Sequence, residues 1–125
     1  PNQSAEGGYA AVIPAFKKAI AEGKECTIFG DGTQIRDFIH VDDLVRIIGL
    51  AIAAEKLPLE LNIASGEATS LLDLIEILGE SNPDLAPPVF QEERAGDIHT
   101  SLADISRLLG ALPVGDMIGI KEGLV

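Results

Sequence analysis

Two arginines carry most of the recognisable chemistry in this chain. Arg36 follows the glycine-pinned run Gly30, Asp31, Gly32, and Arg94 stands two residues before Gly96. A guanidinium is planar, permanently charged and forked, so it suits bidentate contact with phosphate or carboxylate oxygens. Two such groups in glycine-containing loops, far apart in sequence, are what a fold needs to grip a diphosphate from two sides. The plainer alternative is pairing with Asp37 or another of the 20 acidic side chains. His40 and His99 are candidates for acid–base or ligand roles. No HxxxH spacing and no Cys/His cluster accompanies them, so a metal is not expected. Asp42 and Asp43 read as a helix cap with favourable charge at the positive end of the helix dipole. No nucleophile stands beside a base, Ser65 is a turn residue, and no catalytic residue is assigned.

The elements that must hold these groups follow from periodicity. Val12, Ile13, Phe16 and Ile20 recur at helical spacing with Lys17, Lys18 and Glu22 opposite. A helix therefore starts near Ala11, after a loop holding Gly8 and Tyr9, and stops at Gly23; Pro14 is tolerated only in its first turn. Residues 26–29, CTIF, form a strand in which Phe29, judged on its own, is a core aromatic. The glycines at 30 and 32 supply a tight turn. The segment that follows through Arg36 is extended and a third glycine is missing, so the dinucleotide fingerprint GxGxxG is not met.

Asp42 is the expected N-cap of a helix reaching to near Glu55, with Leu44, Ile47, Ile48, Ala51 and Ile52 on one face. Residues 59–64, LELNIA, read as a second strand. Ser70 and Asp73 have capping-box spacing before a helix that buries Leu71, Leu74, Ile75 and Leu78. Residues 81–88 are linker-like, with three prolines in eight residues. VFQ reads as a short strand, and Asp104 as the cap of a last helix over 105–109, ended by Gly110. The tail from Pro113 gives little signal. Helices alternating with strands make the class α/β.

At 125 residues the prior is one small domain. Nine basic against 20 acidic residues leave a formal charge of −11. The cations are scattered, so nucleic acid is not an expected partner, whereas one or two arginines can still set the local field for a small anion. Cys26 is the single cysteine, and no disulfide framework is available. With no signal peptide and no apolar run long enough to span a bilayer, a cytoplasmic protein without membrane contact is expected. A hydrophobic content of 46% with only 4% aromatic suggests a chain that takes apolar cover from elsewhere. Its start at Pro1 without Met reads as an excised or processed segment.

The run GDGTQIRDFIHVDDLV, followed by LNIASGEATSLLDL, resembles the C-terminal half of the extended short-chain dehydrogenase/reductases. These are the NAD-dependent nucleotide-sugar epimerases and dehydratases of the UDP-glucose 4-epimerase type. The resemblance extends from PNQSAEGGYAAVIPAFKKAI to DISRLLGALP. It implies a small mixed α/β domain over residues 1–125, the nucleotide-sugar-binding part of an extended SDR that lacks most of the Rossmann domain. The family's glycine-rich NAD loop and Tyr-x-x-x-Lys would lie before Pro1. The Arg of the RDF motif and the Arg of R-x-G-D bind the nucleotide-sugar diphosphate in that family, which points to Arg36 and Arg94. Asp97 matches an acid used near the ribose. Thr27, Ile28 and Phe29 resemble the edge that receives uracil or thymine. AAVIPAF is similar to a helix flanking the substrate, where Val12 is the candidate because a first helical turn offers N–H groups to an anion. The family often carries an aromatic after LLG, where this chain has Ala111.

The resemblance implies NAD in a parent enzyme and none for the isolated chain, a UDP- or dTDP-sugar as partner, and no turnover by the chain alone. The alternatives are a stand-alone binding or assembly module without a dinucleotide domain, and a general anion-binding α/β domain. An uncovered apolar surface implies a homo-oligomer, with an interface around Ile47, Ile48, Leu61 and Ile63 and the Arg36 loop nearer to solvent.

Overall fold

The computed structural model describes residues 11–124. The expected loop containing Gly8 and Tyr9 lies outside the described residues. The chain divides into two compact units interleaved along the sequence, Pro1–Gln34 with Ser70–His99, and Ile35–Thr69 with Thr100–Val125.

The first unit opens with α1, Val12–Ala21. The helix places Pro14 in its first turn, where a missing N–H costs nothing. It ends in a Schellman motif: Gly23 N–H donates to Ile20 O (3.0 Å) and Lys24 N–H to Ala19 O (2.8 Å). Strand β1, Thr27–Phe29, runs parallel to β4, Val89–Gln91, with Ile28 opposite Phe90. Helix α3, Leu71–Glu80, carries the expected capping box, in which Asp73 N–H donates to Ser70 Oγ and Ser70 N–H to Asp73 Oδ2. Its other first-turn donors are also used, Leu71 N–H by Gln34 O and Leu72 N–H by Gly32 O (both 3.2 Å). The glycine turn is thereby sealed against the start of α3. Phe16, Cys26, Ile28, Leu71, Leu74 and Leu78 are the buried apolar side chains of this unit, and Ile75 is half-buried.

The second unit holds β2, Ile35–Asp37, in a three-stranded sheet of order β3-β2-β5. Strand β3 is Ala68–Ser70, its last residue belonging to the first unit, and β5 is Thr100–Ser101. Strand β5 is parallel to β2 and places Ser101 opposite Arg36. Helix α2, Val41–Ala53, is followed by two short helices, α4, Ser106–Ala111, and α5, Ile120–Leu124. Its core is Ile47, Leu108, Leu112 and Val114, flanked by Ile39, Leu50, Ala51, Ile63, Ile105 and Met117.

Five expectations for this unit are corrected. The N-cap of α2 is His40 and not Asp42: His40 Nδ1 accepts from Asp42 N–H (3.3 Å), leaving both acids inside the first turn. The inner face of α2 runs through Asp43, Leu44, Ile47, Leu50 and Ala51, while Ile48 and Ile52 face outward. Ile47 is 0% exposed, so it is core and not part of an outward interface. Residues 59–64 pair in no ladder among the described residues, because an alternating pattern makes a strand only where a partner supplies the hydrogen bonds. Finally, α4 is capped by Ile105 with Gly110 inside it, although Asp104 Oδ1 still accepts from Ser106 N–H (2.8 Å) just ahead of the helix.

Candidate functional site

In the first unit, the site is built around β1 and the turn after it. Val89 N–H donates to Cys26 O and Gly30 N–H to Gln91 O, each at 2.9 Å. Peptide groups of a strand alternate in direction, so residues 26, 28 and 30 face β4 and those of Thr27 and Phe29 face the opposite edge. Ile28 is 0% exposed, its side chain anchoring the strand from within. Strand β1 thus offers the backbone of Thr27 and the N–H of Phe29 on one edge.

The turn is shaped by its glycines. Gly30 and Gly32 have φ of +87° and +83°, a region that side-chain-bearing residues rarely adopt. A Cβ on Gly30 would also stand 2.5 Å from the Gln34 amide nitrogen. Asp31 bridges the turn: its Oδ1 accepts from Thr33 N–H (2.9 Å) and Thr33 Oγ1 (2.6 Å), and the Thr33 hydroxyl in turn lies 3.1 Å from His99 Nε2. The Thr33 hydroxyl bond, foremost, holds the Asp31 carboxyl below its ordinary range. Gln34, which sequence reasoning missed, is 2% exposed and donates its amide to Phe29 O, while its Oε1 is buried without a partner among the described residues.

Arg94 Cζ lies 3.7 Å from the centroid of the Phe29 ring. Asp97 N–H donates to Arg94 O (3.0 Å), closing the R-x-G-D segment as a turn. Phe29, Arg94, Thr27 and Ile28 are therefore gathered in one unit, and Asp97 is joined to them through the backbone of Arg94. Val12 stands at the first position of α1 in the same unit. No side chain caps that helix, and since Pro14 has no N–H, the first-turn donors are those of Val12 and Ile13.

Arg36 belongs to the second unit. It is half-buried on β2, and its Nη1 donates to Ile35 O (2.8 Å). The neighbouring Asp37 has another task. Its carboxylate accepts from Ser65 N–H (2.8 Å), Ser65 Oγ (2.6 Å), Gly66 N–H (3.0 Å) and Ala103 N–H (3.4 Å). Four donors fill the lone pairs of one carboxylate, so Asp37 organises the Ser65–Gly66 turn. Asp43 plays a similar part at α2, accepting from Arg46 Nη2 (2.6 Å) and Ile118 N–H (2.8 Å), while Arg46 also donates to Val114 O and Asp116 O. The Arg46 bond, then that of Ile118, holds the Asp43 carboxyl below its ordinary range.

The glycine turn is not a dinucleotide-binding turn. The Gly30–Gly32 turn leads into strand β2 and not into a helix whose N-terminus would receive a pyrophosphate. No group of three or more His, Cys, Asp or Glu side chains gathers to hold a metal ion among the described residues. None of their helices is long and apolar enough to cross a membrane.

These features, a mixed α/β frame with a glycine turn leading into the RDF strand, are those of a known family. Residues 1–64 match the model of the NAD dependent epimerase/dehydratase family, and the chain belongs to it. It is 33% identical over 125 residues to a dTDP-L-rhamnose 4-epimerase of Burkholderia thailandensis, covering 99% of this chain and 34% of that protein. Among solved structures it is similar to a UDP-N-acetylglucosamine 4-epimerase from Methanobrevibacter ruminantium in complex with UDP-N-acetylmuramic acid. That match has a TM-score of 0.87 and 35% identity, and covers 99% of this chain and 40% of that one. A UDP-glucuronic acid 4-epimerase from Bacillus cereus in complex with UDP-glucuronic acid and NAD matches with a TM-score of 0.83 and 32% identity, over 91% of this chain and 37% of that one. The chain thus spans about a third of the length of the curated relative and about two fifths of the solved chains.

Proposed function

We propose that this chain is the substrate-binding part of an NAD-dependent nucleotide-sugar epimerase or dehydratase, holding a UDP- or dTDP-sugar for oxidation and reduction at the sugar ring. The observation that carries this reading is the outward edge of β1 beside Arg94, where paired backbone groups and a cation occur together. Backbone groups of Thr27 and the N–H of Phe29 receive the pyrimidine base, the Phe29 carbonyl being engaged by Gln34, and Ile28 keeps the strand in place beneath them. Arg94 meets a diphosphate oxygen, Asp97 a ribose hydroxyl, and the first turn of α1 at Val12 lies against the anionic part of the substrate. Arg36 is proposed as the second diphosphate contact. Complexes of the Methanobrevibacter and Bacillus relatives with UDP-linked sugars support the substrate class.

The contribution of these residues is positioning. Fixing a substrate relative to its reaction partner lowers a barrier without any protein group touching the reacting bonds. NAD and the proton-transferring groups belong to the parent enzyme in this reading, and the chain alone does not turn over. Calorimetric titration with UDP and with NAD, together with a turnover assay on highly purified chain, tests it. UDP uptake without NAD uptake or epimerisation is expected. Turnover by the chain, or NAD binding in place of UDP binding, overturns the proposal.

A further inference from the structure

We propose that Phe29 is a positioning residue whose ring holds the Arg94 guanidinium ready for an oxyanion, and that Gln34 keeps Phe29 in place for this purpose. The inference rests on the reading above that Arg94 meets phosphate. Three observations within one unit carry it.

The first is the 3.7 Å separation between Arg94 Cζ and the ring centroid. This is the spacing of a stacked guanidinium, which occupies one face of the cation with the ring and leaves the N–H fork directed outward in its own plane. The second is the backbone on either side. Arg94 is held by the turn bond from Asp97 N–H, and the Phe29 segment by the bond from Gly30 N–H to Gln91 O. The third is Gln34. A buried amide with an unpartnered Oε1 is costly, yet its Nε2 is spent on the Phe29 carbonyl, and Gly30 has no Cβ to obstruct that approach.

An arginine in an exposed loop surrenders much side-chain freedom when it binds an anion. Phe29 removes part of that loss beforehand. The ring therefore acts through Arg94 on phosphate affinity, in addition to the backbone contact proposed for the base at the same residue.

The test combines NMR with titration of the complete chain. In the unsubstituted protein, a nuclear Overhauser contact between Arg94 Hε and the Phe29 ring protons is expected, and its absence overturns the inference without any variant. Phe29→Leu should lower the order parameter of Arg94 Nε. It should weaken UDP and inorganic pyrophosphate by about two- to five-fold, weaken uridine by less than either, and add nothing in an Arg94→Ala background. Phe29→Tyr, which keeps the ring, should restore the original values. An unchanged order parameter, an additive loss in the Arg94→Ala background, or an equal loss for uridine refutes positioning by Phe29. A chain that takes up no UDP defeats the substrate reading instead, and the Nε measurement still decides this inference.

Discussion

Asp37 and Arg36 are neighbours in sequence with opposite assignments. Asp37 joins β2 to the Ser65–Gly66 turn through four accepted hydrogen bonds, so Asp37→Ala leaves three backbone donors and a hydroxyl without their acceptor. A loss of about 3 kcal/mol in unfolding free energy is expected from hydrogen bonds to a charged group, and urea denaturation measures it. A loss within error of zero would show that water replaces the carboxylate. The arginines are proposed to bind the substrate. Arg36→Ala and Arg94→Ala should each weaken UDP by roughly 1.5–3 kcal/mol in calorimetry, the range of a charge-assisted hydrogen bond. An arginine whose removal leaves UDP affinity intact is structural. The RDF and R-x-G-D motifs made both arginines legible in the sequence. The task of Asp37 was not, because its partners lie 28 and 66 residues away.

At the level of elements, α2 and α3 begin by different means. Helix α3 uses the Ser70–Asp73 box that its sequence announces. Ser70→Ala should cost about 0.5–2 kcal/mol, seen as a lower urea midpoint, and an unchanged midpoint would mean that the bonds from Leu71 and Leu72 N–H to Gln34 O and Gly32 O suffice. Helix α2 is tied by Asp43 to Arg46 and to Ile118 N–H. The folded pKa of Asp43 is depressed, so its ionised form favours the fold. The resulting stabilisation is complete above the unfolded carboxyl value of about 3.9 and disappears as pH falls through the lower folded value. Asp43→Asn should therefore be less stable than the parent at pH 7, with the gap closing below about pH 4. Urea midpoints of both proteins from pH 7 to pH 3 provide the comparison. A gap that stays constant would assign the effect to packing and not to charge.

At the level of the whole molecule, the outward side of α2 presents Val41, Val45, Ile48 and Ile52, at spacings of three and four residues. Val45 is 63% exposed and Ile52 82%, and Leu59 beyond the helix is fully exposed. A continuous apolar row of this kind favours association with another surface. The proposed homo-oligomer is therefore expected to use this row in place of Ile47. Sedimentation equilibrium over a wide concentration range should detect self-association, and Val45→Lys with Ile52→Lys should abolish it. A monomeric parent chain at every concentration would remove the proposal.

By itself, the sequence determined what depends on residues within about one helical turn of each other. The amphipathic helices, the glycine turns at 23 and 30–32, the Ser70–Asp73 box and the motifs shared with the epimerase/dehydratase family are all relations of that range. Only the tertiary structure decided which side of α2 is core, because Ile47, Ile48 and Ile52 are equally apolar and burial depends on Leu108, Leu112 and Val114 arriving from far along the chain. It likewise decided that residues 59–64 form no ladder among the described residues. It also decided that Phe29, which read as a core aromatic, is only half-buried and carries Arg94 on its ring. The physical reason is common to all of these. Periodicity encodes which residues are apolar and how a helix begins, whereas a hydrogen bond, a stacked ring or a buried face needs a partner whose position only the folded chain supplies.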